Sequence, residues 1–200
     1  MRLIIASNNE HKVREIKQIL GQYFDQMSTL KEAGLDIDVV EDGTTFQENA
    51  VKKAREVLAA APEYDAALAD DSGLMVDALG GAPGVYSARY ANISGHDTEA
   101  NNRKLLEELK DVPDSERTAR FACCIAMERR NMDPLCVIAY AEGMILRERR
   151  GENGFGYDPL FYYPPLGKTF AELTAEEKNK VSHRSKSLAL LEEALDKERR

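Results

Sequence analysis

Between Ala67 and Tyr90 the chain reads ALADDSGLMVDALGGAPGVYSARY. A short apolar run leads into two adjacent aspartates and a serine, and four glycines and a proline follow between Gly73 and Gly84. The small apolar residues Ala67 to Ala69 predict a short third strand, DAALAD, with Asp70 and Asp71 at its carboxyl end. Open α/β sheets bind ligands at that end. Adjacent residues on a strand diverge, so the two acids have different jobs. Crowded carboxylates are costly unless a cation lies beside them. A hard cation such as Mg2+ takes oxygen ligands and keeps several waters. The glycines supply a backbone that turns tightly and approaches a ligand closely. By itself the stretch also reads as a plain turn rich in Asp and Gly.

The surrounding pattern predicts an α/β fold with a mixed central sheet and flanking helices. RLIIAS reads as a buried strand. EHKVREIKQIL follows as a helix with Val13, Ile16, Ile19 and Leu20 on one stripe. GLDIDVVEDG alternates from Leu35 to Val39 and predicts a second strand ending in a turn. TTFQENAVKKAREVLAAAP is a helix capped by Thr44 or Thr45, with Phe46, Ala50, Ala54, Val57 and Leu58 on its buried side and Pro62 just beyond. After the glycines, DTEANNRKLLEELK is a helix capped by Asp97. RTARFACCIAMER and LCVIAYAEGMIL are long strands joined by a hairpin turn at RNMDP. RRGENGFGYDPLF is a second glycine-rich loop, and SHRSKSLALLEEALDKERR a capped helix burying Leu188, Leu191 and Leu195. Asn92–Gly95 and Lys110–Arg117 are surface turns by composition. The absence of linkers and repeats predicts one domain over residues 1–200.

Composition narrows the function classes. With 43% hydrophobic and 31% charged residues the chain has a soluble globular balance. No apolar run approaches the roughly 18 residues of a membrane span, and MRLIIASNNE is too short for a signal peptide. The expectation is a cytoplasmic protein with no membrane partner. A net charge of −8 argues against nonspecific nucleic-acid binding, but a local basic cluster or a metal still suffices for a small phosphorylated ligand. Cys123, Cys124 and Cys136 lack zinc-site spacing and read as small core residues.

Four further segments carry chemistry. SNNEHK, Ser7 to Lys12, sits where the first strand becomes a helix. Helix-start N–H groups attract anions; a hydroxyl, two side-chain amides and Lys12 add to them. Ser7 or Asn8 as an ordinary cap is the alternative. Glu41 ends the second strand, and Glu48 and Lys52, four apart, read as a surface pair. GENGFGYDPLF sets Phe155, Tyr157 and Asp158 among glycines. An aromatic there can stack on a base, or the segment is a turn before a strand. ELTAEEKNKVSHRSK gathers Lys178, Lys180, His183, Arg184 and Lys186 around a helix start, with a Thr174–Glu177 capping box and Ser182 as the next cap. Together these parts describe a site for a metal–nucleoside triphosphate.

The chain resembles the inosine triphosphate pyrophosphatases, including the bacterial XTP/dITP diphosphatases. IIASNNEHKVREI, EDGTTFQENAVKKA, ALADDSGLMVDALGGAPGVYSARYA, GFGYDPLF and AELTAEEKNKVSHRSKSL carry the likeness, in order and over essentially the whole chain. Ser7-Asn8-Asn9 departs from the Thr-Gly-Asn or Thr-Asn-Asn of many members, and serine keeps the hydroxyl. The resemblance implies two lobes around a nucleotide-binding cleft, a homodimer, and Mg2+-dependent hydrolysis of ITP, dITP and XTP to the monophosphate and pyrophosphate. By position it implies that Ser7, Asn8, Asn9, Glu10, His11 and Lys12 bind the triphosphate. Glu41 and Asp71 serve the metal, and Asp71 accepts the proton. Ser72, Phe155, Gly156, Tyr157, Asp158, Lys178, His183 and Arg184 contact substrate. Asp70 holds neighbouring backbone or a basic residue. The competing readings are a diphosphatase with another base preference, such as modified pyrimidines, and a nucleotide-binding regulator without turnover. Retention of Glu41, Asp70 and Asp71 favours catalysis. An RNA-binding protein is disfavoured by the charge and by the lack of an aromatic–basic strand motif.

Overall fold

The apolar run after Met1 forms β1 (Arg2–Ile5) in the computed structural model, which describes residues 1–91 and 97–199 without the side chain of His11. The surface turn expected at Asn92–Gly95 lies outside the described residues. The other elements are α1 (Glu10–Leu20), β2 (Gln26–Thr29), α2 (Phe46–Ala60), β3 (Ala66–Val76), α3 (Thr98–Glu108), β4 (Thr118–Arg129), β5 (Leu135–Ile145), β6 (Phe161–Tyr163), β7 (Lys168–Thr169), α4 (Ala175–Val181) and α5 (His183–Glu198). The strands hydrogen-bond in the order β2-β1-β3-β4-β5-β6-β7. The sheet is mixed: β1 runs parallel to β2 and β3, whereas β6 is antiparallel to β5 and β7. Among the described residues no helix is long and apolar enough to cross a membrane.

The chain divides into two compact units. The first comprises Met1–Asp71, Cys123–Ala139 and Ser185–Arg200. Its core joins Leu3 and Ile5 of β1 to Val13, Ile16 and Leu20 of α1, Ile125 and Met127 of β4, and Leu188, Leu191 and Leu195 of α5. Ile4 and Ala67 point the other way on their strands and are equally buried, so β1 and the start of β3 are covered on both faces. This is why their sequences are unbroken apolar runs.

The second unit comprises Ser72–Ala122 and Tyr140–Arg184. Its core is aromatic: Phe121 lies 4.6 Å from Phe161 and 5.7 Å from Phe170, ring centre to ring centre. Leu74, Leu105, Leu109 and Leu160 complete it. The glycine-rich stretch folds back on the end of β3. The amide of Val76 donates to the Ala82 carbonyl at 3.0 Å, and that of Gly81 to the Val76 carbonyl at 2.9 Å. Ser87 Oγ accepts from the Leu74 amide at 2.9 Å.

Four expectations are corrected. No strand forms at Leu35–Val39: the alternation of exposure is present, but the segment joins no ladder of the sheet, and the place beside β1 opposite β3 is taken by β2. The strand beside β1 is instead Gln26–Thr29, too short and polar to read as one. β3 does not stop at Asp70 but runs to Val76, placing both aspartates mid-strand. Its parallel pairing with β1 nevertheless ends at Ile5–Leu68, so the acids still follow the carboxyl end of the parallel segment. Arg117 is not a surface residue. It is 2% exposed, and its guanidinium donates to the carbonyls of Leu109, Ile145 and Leu146. Cys123 and Cys124 are core residues as expected, but Cys136 is exposed, its sulfur 3.5 Å from that of Cys124.

Candidate active site

The two aspartates of β3 face different partners. Asp70 Oδ1 accepts from Lys12 Nζ at 2.5 Å, and its Oδ2 from the Cys123 thiol at 3.1 Å. It therefore holds a basic residue, one of the roles expected for it. Asp71 Oδ2 accepts from Asn49 Nδ2 at 3.1 Å. Asp71 is 8% exposed. Burial pushes its pKa up to about 6; the Asn49 hydrogen bond opposes this, the Glu41 charge adds to it, Lys12 opposes it and Asp70 adds again.

Glu41 lies in the irregular segment before α2 and is ion-paired with Lys53. The next residues of that segment are also tied to α2. Asp42 pairs with Lys52 at 2.6 Å. The Gly43 amide donates to Asn49 Oδ1 at 2.8 Å, and the Thr44 amide to Glu48 Oε2 at 2.7 Å. The surface pair expected between Glu48 and Lys52 is thus replaced: each side chain reaches back to the segment instead. Thr45 caps α2 by accepting from the Glu48 amide.

The Ser7–Lys12 segment forms the entry to α1. Asn9 is the capping side chain, its Oδ1 accepting from the Lys12 amide at 3.2 Å, while Ser7 Oγ accepts from the Asn9 amide at 3.1 Å. Asn8 Oδ1 accepts from the Lys31 amide at 3.1 Å. Glu10 is exposed in the first turn. His11 belongs to the helix, and its side chain is outside the description.

In the second unit the loop before β6 presents Phe155, 48% exposed. Its amide donates to Asp158 Oδ2 at 2.8 Å. Lys178 Nζ reaches the same oxygen at 2.5 Å and lies 4.7 Å from the Phe155 ring centre. The fit is close: Gly154 has φ +77°, and a Cβ there would stand 2.2 Å from Asp158 Oδ2. Tyr157 is buried and donates its hydroxyl to the Ser87 carbonyl at 2.8 Å. Asn102 Nδ2 holds the Gly156 carbonyl at 3.0 Å. His183 is buried, its ring stacked on Phe121 at 4.9 Å, and Arg184 beside it is 3% exposed. Ser72 is half-buried.

The Ham1 family model matches residues 3–194. This chain belongs to the Ham1 family. A dITP/XTP pyrophosphatase of Clostridium perfringens is 51% identical over 198 residues, covering 97% of each chain. The solved structure of the Staphylococcus aureus Ham1 protein superposes with a TM-score of 0.90 at 41% identity, covering 99% of this chain and 100% of that one. A HAM1 protein from Coxiella burnetii gives 0.89 at 40% identity, covering 98% and 99%.

In this Ham1 chain no cluster of three or more His, Cys, Asp and Glu side chains that could hold a metal occurs among the described residues. Mg2+ needs no such cage, because it is usually held by one or two carboxylates plus substrate phosphates and water. Glu41 and Asp71 are carboxylates whose charges act on one another, and Asp71 is a buried acid that a cation would relieve. The donor set fits such an ion. Asn49 and Lys53 went unread in the sequence. The signal was there: Asn49 falls three residues after Phe46 and Lys53 three after Ala50, which puts two polar residues on the apolar stripe of α2.

Proposed function

We propose that this chain hydrolyses non-canonical purine nucleoside triphosphates, dITP, ITP and XTP, to the monophosphate and pyrophosphate. The observation that best supports this is Asp71, a buried carboxylate with its pKa raised to about 6, in a Ham1-family chain that also carries Glu41. Above pH 6 Asp71 is ionised and can take a proton from an attacking water, as a general base does. Glu41 and Asp71 would hold Mg2+, which when bound neutralises phosphate charge and makes its water easier to deprotonate. Ser7 to Lys12 receive the triphosphate on the α1 entry, with Lys12 oriented by Asp70. A regulator without turnover would have no need of a raised-pKa carboxylate beside the Glu41 charge. We read residues 1–200 as one cytoplasmic functional domain acting as a homodimer; the exposed Cys136, Ile138 and Tyr140, alternating on one face of β5, are consistent with a partner copy.

Base choice belongs to the second group of residues. Phe155 offers a stacking surface, which cannot tell purines apart. Ser182, His183 and Arg184 supply donors toward the 6-oxo group of inosine and xanthine, where adenine would set donor against donor. Guanine shares the 6-oxo group and is rejected at its 2-amino group. Asp158 and Tyr157 serve by positioning the loop, and Gly156 and Ser72 complete the approach of the substrate. A site of this kind can discriminate by about 10⁴, because the wrong base leaves buried polar groups unpaired. The test is kcat/KM for dITP, dATP and dGTP on wild type, Arg184→Ala and Phe155→Ala. Wild type should prefer dITP by orders of magnitude. Arg184→Ala should narrow the dITP-to-dATP ratio, while Phe155→Ala should lower both alike. A wild-type enzyme that turns over dATP as readily as dITP contradicts the reading.

A further inference from the structure

Residues 41 to 44 are laced onto α2 in reverse order: Glu41 to Lys53, Asp42 to Lys52, Gly43 to Asn49 and Thr44 to Glu48. Lys52–Asp42 is a surface pair, with the aspartate side chain 67% exposed, and such pairs contribute little. Asn49 differs on two counts. It is 1% exposed, and its amide has a second contact outside the segment, Nδ2 to Asp71 Oδ2 at 3.1 Å. One planar group therefore accepts from the backbone two residues beyond Glu41 and donates to the other acid. Aspartate in its place would set a third carboxylate against Asp71. Leucine would leave the Gly43 amide and the Asp71 oxygen without this partner, a costly loss for a buried group. Gly43 is matched to it: a Cβ there would stand 2.6 Å from Asn49 Oδ1 and 2.8 Å from Glu48 Cβ.

We infer that Asn49 is a positioning residue that sets the Glu41-bearing segment at a fixed distance from Asp71, so that the two acids are pre-assembled for one divalent cation. This rests on the reading of Glu41 and Asp71 as the cation-binding acids. Hydrogen-bond partners of metal ligands commonly carry a tenfold to hundredfold effect on metal affinity or activity.

The experiment measures Mn2+ binding to the nucleotide-free protein, together with the Mg2+ concentration for half-maximal dITP hydrolysis. Asn49→Ala should weaken Mn2+ binding and raise the Mg2+ requirement on the order of tenfold. KM for dITP at saturating Mg2+ should stay within about twofold, since Asn49 holds Asp71 and the Gly43 amide, whereas the triphosphate is assigned to Ser7–Lys12. Gly43→Ala pushes on the same amide from the other side and should act in the same direction. Lys52→Ala should leave Mn2+ binding unchanged. Should Asn49→Ala fail to fold, Gly43→Ala and Asn49→Gln decide the matter. Wild-type Mn2+ binding in these variants, or a loss confined to KM, would overturn the inference. Glu41→Gln and Asp71→Asn separate the two levels. If they also bind Mn2+ like wild type, the cation reading itself fails and the inference with it. If they lose it while the Asn49 and Gly43 variants keep it, the positioning role alone is overturned.

Discussion

Asp71 carries its negative charge at a cost, and that cost is measurable apart from catalysis. Its pKa rises from 3.8 to about 6 on folding, chiefly through burial. Between those values the folded chain binds more protons than the unfolded one, so stability falls as pH rises through this window and the penalty is fully present above it. Linkage sets the size at no more than about 3 kcal/mol. Asp71→Asn removes the penalty. Without divalent cations the variant should melt above wild type at pH 8, and the gap should shrink as pH falls from about 6 toward 4. The same variant should lose roughly 10² or more in kcat, the usual size of a general-base effect. A variant that melts like wild type at both pH values, or that keeps near-normal turnover at saturating Mg2+, would remove Asp71 from the role. The pairing of Asp70 with Lys12 was half legible: the sequence distinguished the two acids by strand alternation, but which lysine Asp70 would meet depends on α1, whose position no local pattern encodes.

At the scale of elements, amphipathic helices were the readable part. α1, α2, α3 and α5 form where the helical patterns put them, and Thr45 and Asp97 cap α2 and α3 as expected, because periodicity and capping are local; at α1 the capping side chain is Asn9 rather than Ser7 or Asn8. Strands were less so. Alternation at Leu35–Val39 reported which side chains face solvent but not whether the backbone would find a ladder. The four residues Gln26–Thr29 gained strand structure from their neighbour rather than from their own composition. β3 was cut short in the reading because acids and glycines look like a strand's end, whereas its far half is supported by the folded-back glycine stretch. The loop before β6 shows a related division of labour. Phe155 is exposed for contact, and Tyr157 is spent on holding Ser87. Tyr157→Phe deletes one neutral hydrogen bond and should cost about 1 kcal/mol in stability. It should leave the dITP-to-dATP ratio of kcat/KM as in wild type. A changed ratio would make the Tyr157 hydroxyl a substrate contact after all.

At the scale of the whole molecule, two separate cores organise the chain. One is aliphatic around β1, α1 and α5; the other is aromatic around Phe121, Phe161 and Phe170. The resemblance implied two lobes, but composition marked no boundary between them, since β3, β4 and β5 each pass from one unit to the other without a linker. The proposed chemistry is divided the same way: the first unit holds Glu41, Asp70, Asp71 and the α1 entry, and the second holds Phe155, Asp158, Lys178 and the Ser182–Arg184 turn. What joins these residues into one reading is the reaction, and its products test it most directly. Incubation with dITP and Mg2+, followed by phosphorus NMR, should show dIMP and pyrophosphate appearing in equal amounts, with no orthophosphate. Formation of dIDP with orthophosphate, or dITP left intact while bound, would contradict the account.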